Sequence, residues 1–348
     1  MSITMRLLLV LSCSLFLVAC GGGGGAPLRV GVGGDVTRQH RAPDPDPVAD
    51  ATPRAWLWEI SGGGSLAPSY VLGTMHLGVT RRRALPPPLD EFLQQSRVVV
   101  MEIDPRELDR MFAGEGAAAP TSSAAPRRVS RREWLDRALP PATWQLLVDE
   151  LGARVAPDVL RRMPPGLLSL YLSQVRMAEV EALEEGRTPV RGAASTARLD
   201  QSIFEWAVAM GRPVIPLETP EQALDALERV SHGSALDGLR EVLERADDAR
   251  AEQARLREAY LSLDDARTRA LLDEEMDAET REILLLARNR AWMENLIPQI
   301  EEGRAFVAVG LAHLLGEQSV LSMLEARGFQ VRRVGGRERP PQREHARR

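Results

Sequence analysis

The strongest constraint on this chain is a pair of short runs with no polar alternation. RVVVMEI at 97–103 and RAFVAVG at 304–310 are apolar through their middles. A strand wetted on one face alternates polar and apolar residues, so runs like these belong between helices, buried on both faces of a sheet. Trp56 to Ile60 and Tyr70 to Leu72 flank SGGGSLAPS and predict a hairpin with a loose turn. PVIPLET and FQVRRV predict two more short strands.

Between the strands the pattern is helical. A helix is expected after the prolines of PPPLDEFLQQS, and Arg131 to Glu185 predicts helices broken at Pro140-Pro141, Pro157 and Pro164-Pro165. RLDQSIFEWAVAMG fits a helix with Leu199, Ile203, Trp206 and Met210 on one face and a stop at Gly211. Further helices are expected from Pro220 to about Val230, along the charged segment Leu239 to Asn295, and from Glu317 to Arg327 with Gly328 as cap. Strands and helices alternate at both ends, with helices in the middle. The expected fold is therefore α/β, a mixed central sheet with flanking helices and an inserted helical region at 131–185.

The ends read differently. The first twenty residues hold one positive charge at Arg6, an apolar run from Leu7 to Ala19, and Cys20. That run is too short to span a bilayer and predicts an export signal. Leu17-Val18-Ala19-Cys20 resembles the lipobox of bacterial lipoproteins, so Cys20 is the expected lipidation site and the membrane an expected partner through that lipid. Gly21 in the next position points to the outer membrane, on its periplasmic face. Residues 21–53 are rich in glycine, proline and aspartate and cannot bury enough surface to fold, which predicts a tether. The body is expected at 54–334, and the basic stretch 335–348 as a flexible tail.

Composition excludes several chemistries. The chain's two cysteines are Cys13 in the signal and Cys20, so disulfides, thiolate metal sites and cysteine nucleophiles are not expected in the body. The net charge is −5 and the basic residues are dispersed, which gives nucleic acid no surface to bind. His-Glu-x-x-His and Gly-x-Ser-x-Gly are absent. Metal-activated water remains as the hydrolytic option.

Two of the five histidines share one setting. VLGTMHLG places His76, and AVGLAHLLG places His313, each three residues after a glycine that ends an apolar strand. Glycine there permits a sharp turn or a close approach that aims the histidine at the sheet's rim. Glu102 and Glu218 also lie at or just past predicted strand ends. Ligands gather at the C-terminal ends of parallel strands. His76, His313, Glu102 and Glu218 are therefore candidate ligands for a divalent metal. Glu218 reads equally as a partner of a ligand or as the cap of the helix at Pro220. A histidine after a strand is otherwise a hydrogen-bonded polar residue with a structural role.

LWEI, YVLGTMHLG, VVVMEID, RLDQSIFEWAVAMGRPVIPLETPEQALDAL, RNRAWMENLIPQI and AFVAVGLAHLLGEQSVLSMLEARGFQVRRV follow one another in the order and character of the TraB/GumN family, which includes the TIKI proteins. The resemblance covers about Trp56 to Val334. It implies a fold related to erythromycin esterase and the haem-binding lipoprotein ChaN, and a metal-dependent hydrolase, peptidase-like, favouring manganese or cobalt with zinc possible. Carried onto this chain, it implies His76, His313 and Glu102 as the metal and active-site residues. It also matches Asp200, Arg288 and Asn289 to functional positions, although Arg198-Leu199 stands where the family often has glycine. Glu102 reads either as ligand or as general base with Asp200 completing the metal shell. Arg288 is expected to anchor a substrate carboxylate or oxyanion, and Asn289 to orient the site. An arginine in a charged helix is otherwise a solvated surface charge. The expected substrate is a peptide or other small amide. The alternative is a binding protein that sequesters a peptide signal, haem or metal without turnover.

Overall fold

A computed structural model describes residues 54–107, 134–192, 198–230 and 232–335. The signal, the lipidation site Cys20, the tether, most of the Arg106–Arg127 loop and the tail beyond Gly335 lie outside the described residues.

Six strands form one mixed sheet: β1 (Leu57–Gly62), β2 (Ser69–Thr74), β3 (Val98–Met101), β4 (Val214–Pro216), β5 (Ala305–Gly310) and β6 (Phe329–Arg333), in the order β4-β3-β5-β2-β1-β6. The hairpin β1/β2 is antiparallel, with Leu57 opposite Leu72, and β6 pairs antiparallel to β1. β2, β5, β3 and β4 run parallel to one another, β5 lying between β2 and β3 with Leu72 and Met101 both opposite Ala308. β3 and β5 are buried at every position, as their unbroken apolar runs require. The short β4 sits at the edge, where Pro216 removes no interior ladder bond.

The principal core joins both sheet faces to helices through Trp56, Leu72, Val99, Ile203, Trp292, Phe306 and Leu324. Labelled helices are α1 (Pro141–Leu151), α2 (Pro165–Glu184), α3 (Leu199–Ala209), α4 (Pro220–Arg229), α5 (His232–Glu244), α6 (Ala246–Ser262), α7 (Asp265–Glu275), α8 (Ala287–Glu302) and α9 (Val320–Glu325). Pro141, Pro165 and Pro220 each open their helices, where proline forfeits no hydrogen bond. A π-helical turn, Glu282–Leu286, leads into α8. His232 opens α5.

Three sequence expectations are corrected. The buried face of α3 is Leu199, Asp200, Ile203, Phe204 and Ala207, whereas Met210 is the residue that caps the helix, past its last helical turn, and is 58% exposed. The helix expected from Glu317 starts at Val320, after a Ser319 side-chain cap. Glu218 is not the cap of α4: Thr219 accepts from the Gln222 backbone, and Gln222 returns a bond to Thr219 N–H.

Helices from the expected insertion pack against a later one. α1 and α2 pack with α5 through Leu147, Leu151, Leu168, Leu172, Leu239 and Val242. α2 is buried from Pro165 to Met177, so it is an interior helix of this layer. No helix among the described residues is long and apolar enough to cross a membrane.

Candidate functional site

The four parallel strands end on one rim, and each delivers one of the predicted residues. β2 leads through Thr74 to His76, β3 into Glu102, β4 towards Glu218, and β5 through a 3-10 turn, Leu311–His313, to the second histidine. Gly73 leaves room for the neighbouring turn, since a Cβ there would come within 2.6 Å of the Leu311 side chain. Gly310 is needed for a different reason. A Cβ on it would lie 3.1 Å from both Glu102 Oε1 and His76 Nε2, inside the site.

Each histidine is held from behind. Asp200 Oδ2 is 2.7 Å from His76 Nδ1, and Asp200 Oδ1 accepts from the Thr74 hydroxyl at 2.8 Å. A carboxylate only accepts, so His76 Nδ1 carries the proton. Asn289 Nδ2 donates to the Gln318 carbonyl, which turns Asn289 Oδ1 towards His313 Nδ1 at 2.6 Å and makes that nitrogen the donor as well. Both Nε2 atoms then face Glu102 Oε1, at 3.9 Å from His76 and 4.0 Å from His313. Asp200 and Asn289 thus hold the histidines rather than joining the inner cluster.

Glu102 Oε1 accepts the Gly310 N–H at 2.7 Å, and Oε2 accepts from Arg288 Nη2 at 2.9 Å. Arg288 is buried, not a surface charge, and Glu218 holds it through Nε at 3.0 and 3.1 Å and through Nη2. Arg288 Nη1 donates to the Leu284 carbonyl in the π-helical turn and lies 3.4 Å from His313 Nε2. Trp292, one turn after Arg288, donates to Glu218 Oε2 at 3.0 Å and lies against the His313 ring, centroids 4.3 Å apart. Glu218 is therefore the anchor of Arg288.

Sequence reasoning missed Trp292, although its i+4 spacing from Arg288 puts it on the same helix face. It also missed Tyr260, which donates from α6 to the Gly73 carbonyl at 2.8 Å and fixes the turn before His76. Nothing in the local sequence marks Tyr260.

Burial and charge set the protonation states. Burial pushes Glu102 upward, but His313, Arg288, His76 and the Gly310 N–H outweigh it and bring its pKa to about 2. His313 is depressed to about 3, chiefly by burial, with Arg288 and His76 adding to the effect against Glu102. With His313 neutral, the lasting positive charge beside Glu102 is that of Arg288. His76 is opposed by burial yet raised on balance by Asp200 and Glu102. Glu102, Glu218 and Asp200 bring three formal negative charges to the buried cluster, and Arg288 returns one positive charge.

The TraB/PrgY/gumN family pattern matches residues 56–333, most of the chain. The chain belongs to the TraB/PrgY/gumN family. No curated protein and no solved structure matches it significantly. The TraB/PrgY/gumN region runs from Trp56, just before β1, to Arg333 at the end of β6, so it contains the whole sheet and every residue of the rim cluster.

The cluster's donor chemistry fits a divalent cation: two imidazole lone pairs, one ionised carboxylate and a surplus of buried negative charge. Its spacing is looser than a ligand shell. Among the described residues no group of three or more His, Cys, Asp or Glu is drawn together closely enough to hold a metal as it stands. Metal bonds of about 2.0–2.2 Å put neighbouring ligand atoms roughly 3.3 Å apart. The 3.9 and 4.0 Å separations would have to close by about 0.6–0.7 Å, with Arg288 Nη1 yielding at His313.

Proposed function

We propose that this TraB/PrgY/gumN chain is a metal-dependent hydrolase of peptide or other amide bonds. The observation that carries the reading is the double tether: Asp200 and Asn289 each hold a histidine Nδ1, leaving both Nε2 lone pairs turned to the same Glu102 oxygen. A structural histidine pair has no need to be tethered at both Nδ1 atoms so that the two Nε2 atoms converge on one carboxylate oxygen.

In this reading His76, His313 and Glu102 hold the ion, with manganese or cobalt favoured and zinc possible. The ion would supply a polarised carbonyl and an activated water. Glu102 suits the part of ligand better than that of general base, because a carboxylate held near a pKa of about 2 takes up a proton poorly at neutral pH. Arg288, braced by Glu218, puts a fixed positive charge beside His313, where it can stabilise an oxyanion or hold a substrate carboxylate. The protein would be anchored to the cell envelope by lipid on Cys20, facing the periplasm from the outer membrane.

Metal analysis by plasma mass spectrometry on the manganese-loaded full chain, paired with turnover of a fluorogenic peptide pool, tests the proposal. Stoichiometric metal and turnover are expected in the wild type, both lost in His76→Ala and His313→Ala variants that keep their circular dichroism. Metal without turnover would replace the hydrolase with the sequestering protein. No metal under manganese, cobalt or zinc loading would remove both.

A further inference from the structure

Helices α1, α2 and α6 border a cavity of about 340 Å³. Leu146 and Glu150 of α1, Arg176 and Glu179 of α2, and Arg250 of α6 form its walls, and Arg191 closes one side from the segment that follows α2. That segment is pressed onto α1. Gly192 has a φ of +66°, and a Cβ on it would come within 2.7 Å of the Glu150 carbonyl oxygen. Arg191 Nη1 donates to the neighbouring Asp149 carbonyl at 3.3 Å. No residue of the strand-end cluster lines this cavity.

Arg176 is only partly satisfied there. Its side chain is 4% exposed, and it turns Nη1 to Glu179 Oε1 at 2.7 Å and to Glu150 Oε1 at 3.4 Å. Its Nε–H is buried and has no partner among the described residues. Arg161, Arg212 and Arg240 share an unpartnered Nε, but those side chains are partly exposed. A buried donor without an acceptor is costly. Because both carboxylate bonds use Nη1, the edge formed by Nε and Nη2 stays open, and that edge can take a planar carboxylate through two parallel bonds.

Charge narrows the occupant. The lining sets three arginines against two glutamates, a surplus of one positive charge. Glu179 is already shared, its Oε2 accepting from Arg250 at 3.0 Å, whereas Arg191 pairs with no carboxylate among the described residues. A cation would meet the surplus, and a phosphate, carrying about −1.5 to −2 at pH 7, would exceed it beside two glutamates. A carboxylate balances it. Leu146, Leu243 and Pro189 add an apolar wall, and at about 30 Å³ per water-sized group the volume suits roughly ten non-hydrogen atoms. We propose that this cavity binds a small amphipathic monocarboxylate, its carboxylate on the Nε–Nη2 edge of Arg176 beside Arg191 and its short apolar group against Leu146 and Leu243. The site requires neither metal nor turnover at the strand ends.

Isothermal titration calorimetry and ligand-observed NMR on the full chain test the site. The probes are N-acetylated alanine, valine and leucine and the straight-chain acids from butanoate to octanoate, with the matching primary amides and inorganic phosphate as controls. Carboxylates should bind at least about tenfold more tightly than their amides or phosphate. Arg191→Glu turns the surplus of positive charge into a negative one at an exposed position, and Arg176→Lys keeps the charge but loses the planar edge. Each should weaken carboxylate binding about tenfold to a hundredfold, with folding followed by circular dichroism. If Arg176→Lys fails to fold, Arg191→Glu decides alone. His76→Ala should bind as the wild type does. No binding of any carboxylate, or equal binding of the amides or phosphate, would overturn the proposal. So would binding that survives Arg191→Glu, or that is lost in His76→Ala, since the carboxylate would then sit at the strand ends beside Arg288.

Discussion

Glu218→Gln separates an anchor from a metal ligand. Glu218 is buried and accepts from Arg288 Nε at 3.0 and 3.1 Å, from Arg288 Nη2, and from Trp292 Nε1 at 3.0 Å. Glutamine removes the charge and must turn its NH2 towards one of these donors. Breaking a buried ion pair from one side costs about 3–5 kcal/mol. Arg288 keeps Glu102 at 2.9 Å, so the lower end, about 3 kcal/mol, applies here. At roughly 2–4 °C per kcal/mol for a domain of this size, melting should fall by about 6–12 °C. Thermal melts followed by circular dichroism read that shift, and a cycle with Arg288→Met should give coupling of about 2 kcal/mol or more, because the double variant no longer strands an arginine charge. Bound manganese should persist in Glu218→Gln. A melting shift under about 2 °C together with loss of the metal would refute the reasoning and make Glu218 a ligand.

Two further predictions concern backbone approach and alkaline pH. Gly310→Ala introduces a methyl 3.1 Å from Glu102 Oε1 and His76 Nε2, while its φ of −53° is open to alanine; metal content and turnover should fall sharply for a stability cost of about 1–3 kcal/mol, checked by plasma mass spectrometry beside urea unfolding. Burial and then Asp200 raise Tyr260 above the ordinary tyrosine range, so above about pH 10 the unfolded chain loses that proton while the folded one keeps it. Stability should then be lost as pH rises, by up to about 1.4 kcal/mol per pH unit from this group, and Tyr260→Phe should flatten the curve in unfolding measured from pH 9 to 11.5. The chain contains no lysine to mask the effect.

Where one segment carries its own instructions, the sequence is legible. Unbroken apolar runs identify β3 and β5 as interior strands, and the residues immediately beyond strand ends identify His76, Glu102, Glu218 and His313. Partnership is harder to read, because it depends on packing between distant segments. Asp200 is 124 residues from His76, and Glu218 is 70 residues from the arginine it holds. Tyr260 reaches Gly73 across 187 residues with no motif at either end. The error at Met210 has a related origin, since periodicity gives the arc of α3 but not the residue at which the helix ends.

The position of β5 has a consequence for the order of assembly. The chain is synthesised from its N-terminus, yet Ala305–Gly310 occupies the slot between β2 and β3, strands completed some two hundred residues earlier. Until that late strand arrives, β2 and β3 each present an unpaired edge, and His76 and Glu102 have nothing to hold them in register. Closing the sheet and uniting the two histidines are consequently one event, slow because its contacts span most of the chain. A chain cut short before Ala305 would retain His76, Glu102, Asp200, Glu218 and Arg288 but lack the strand that brings them into one cluster.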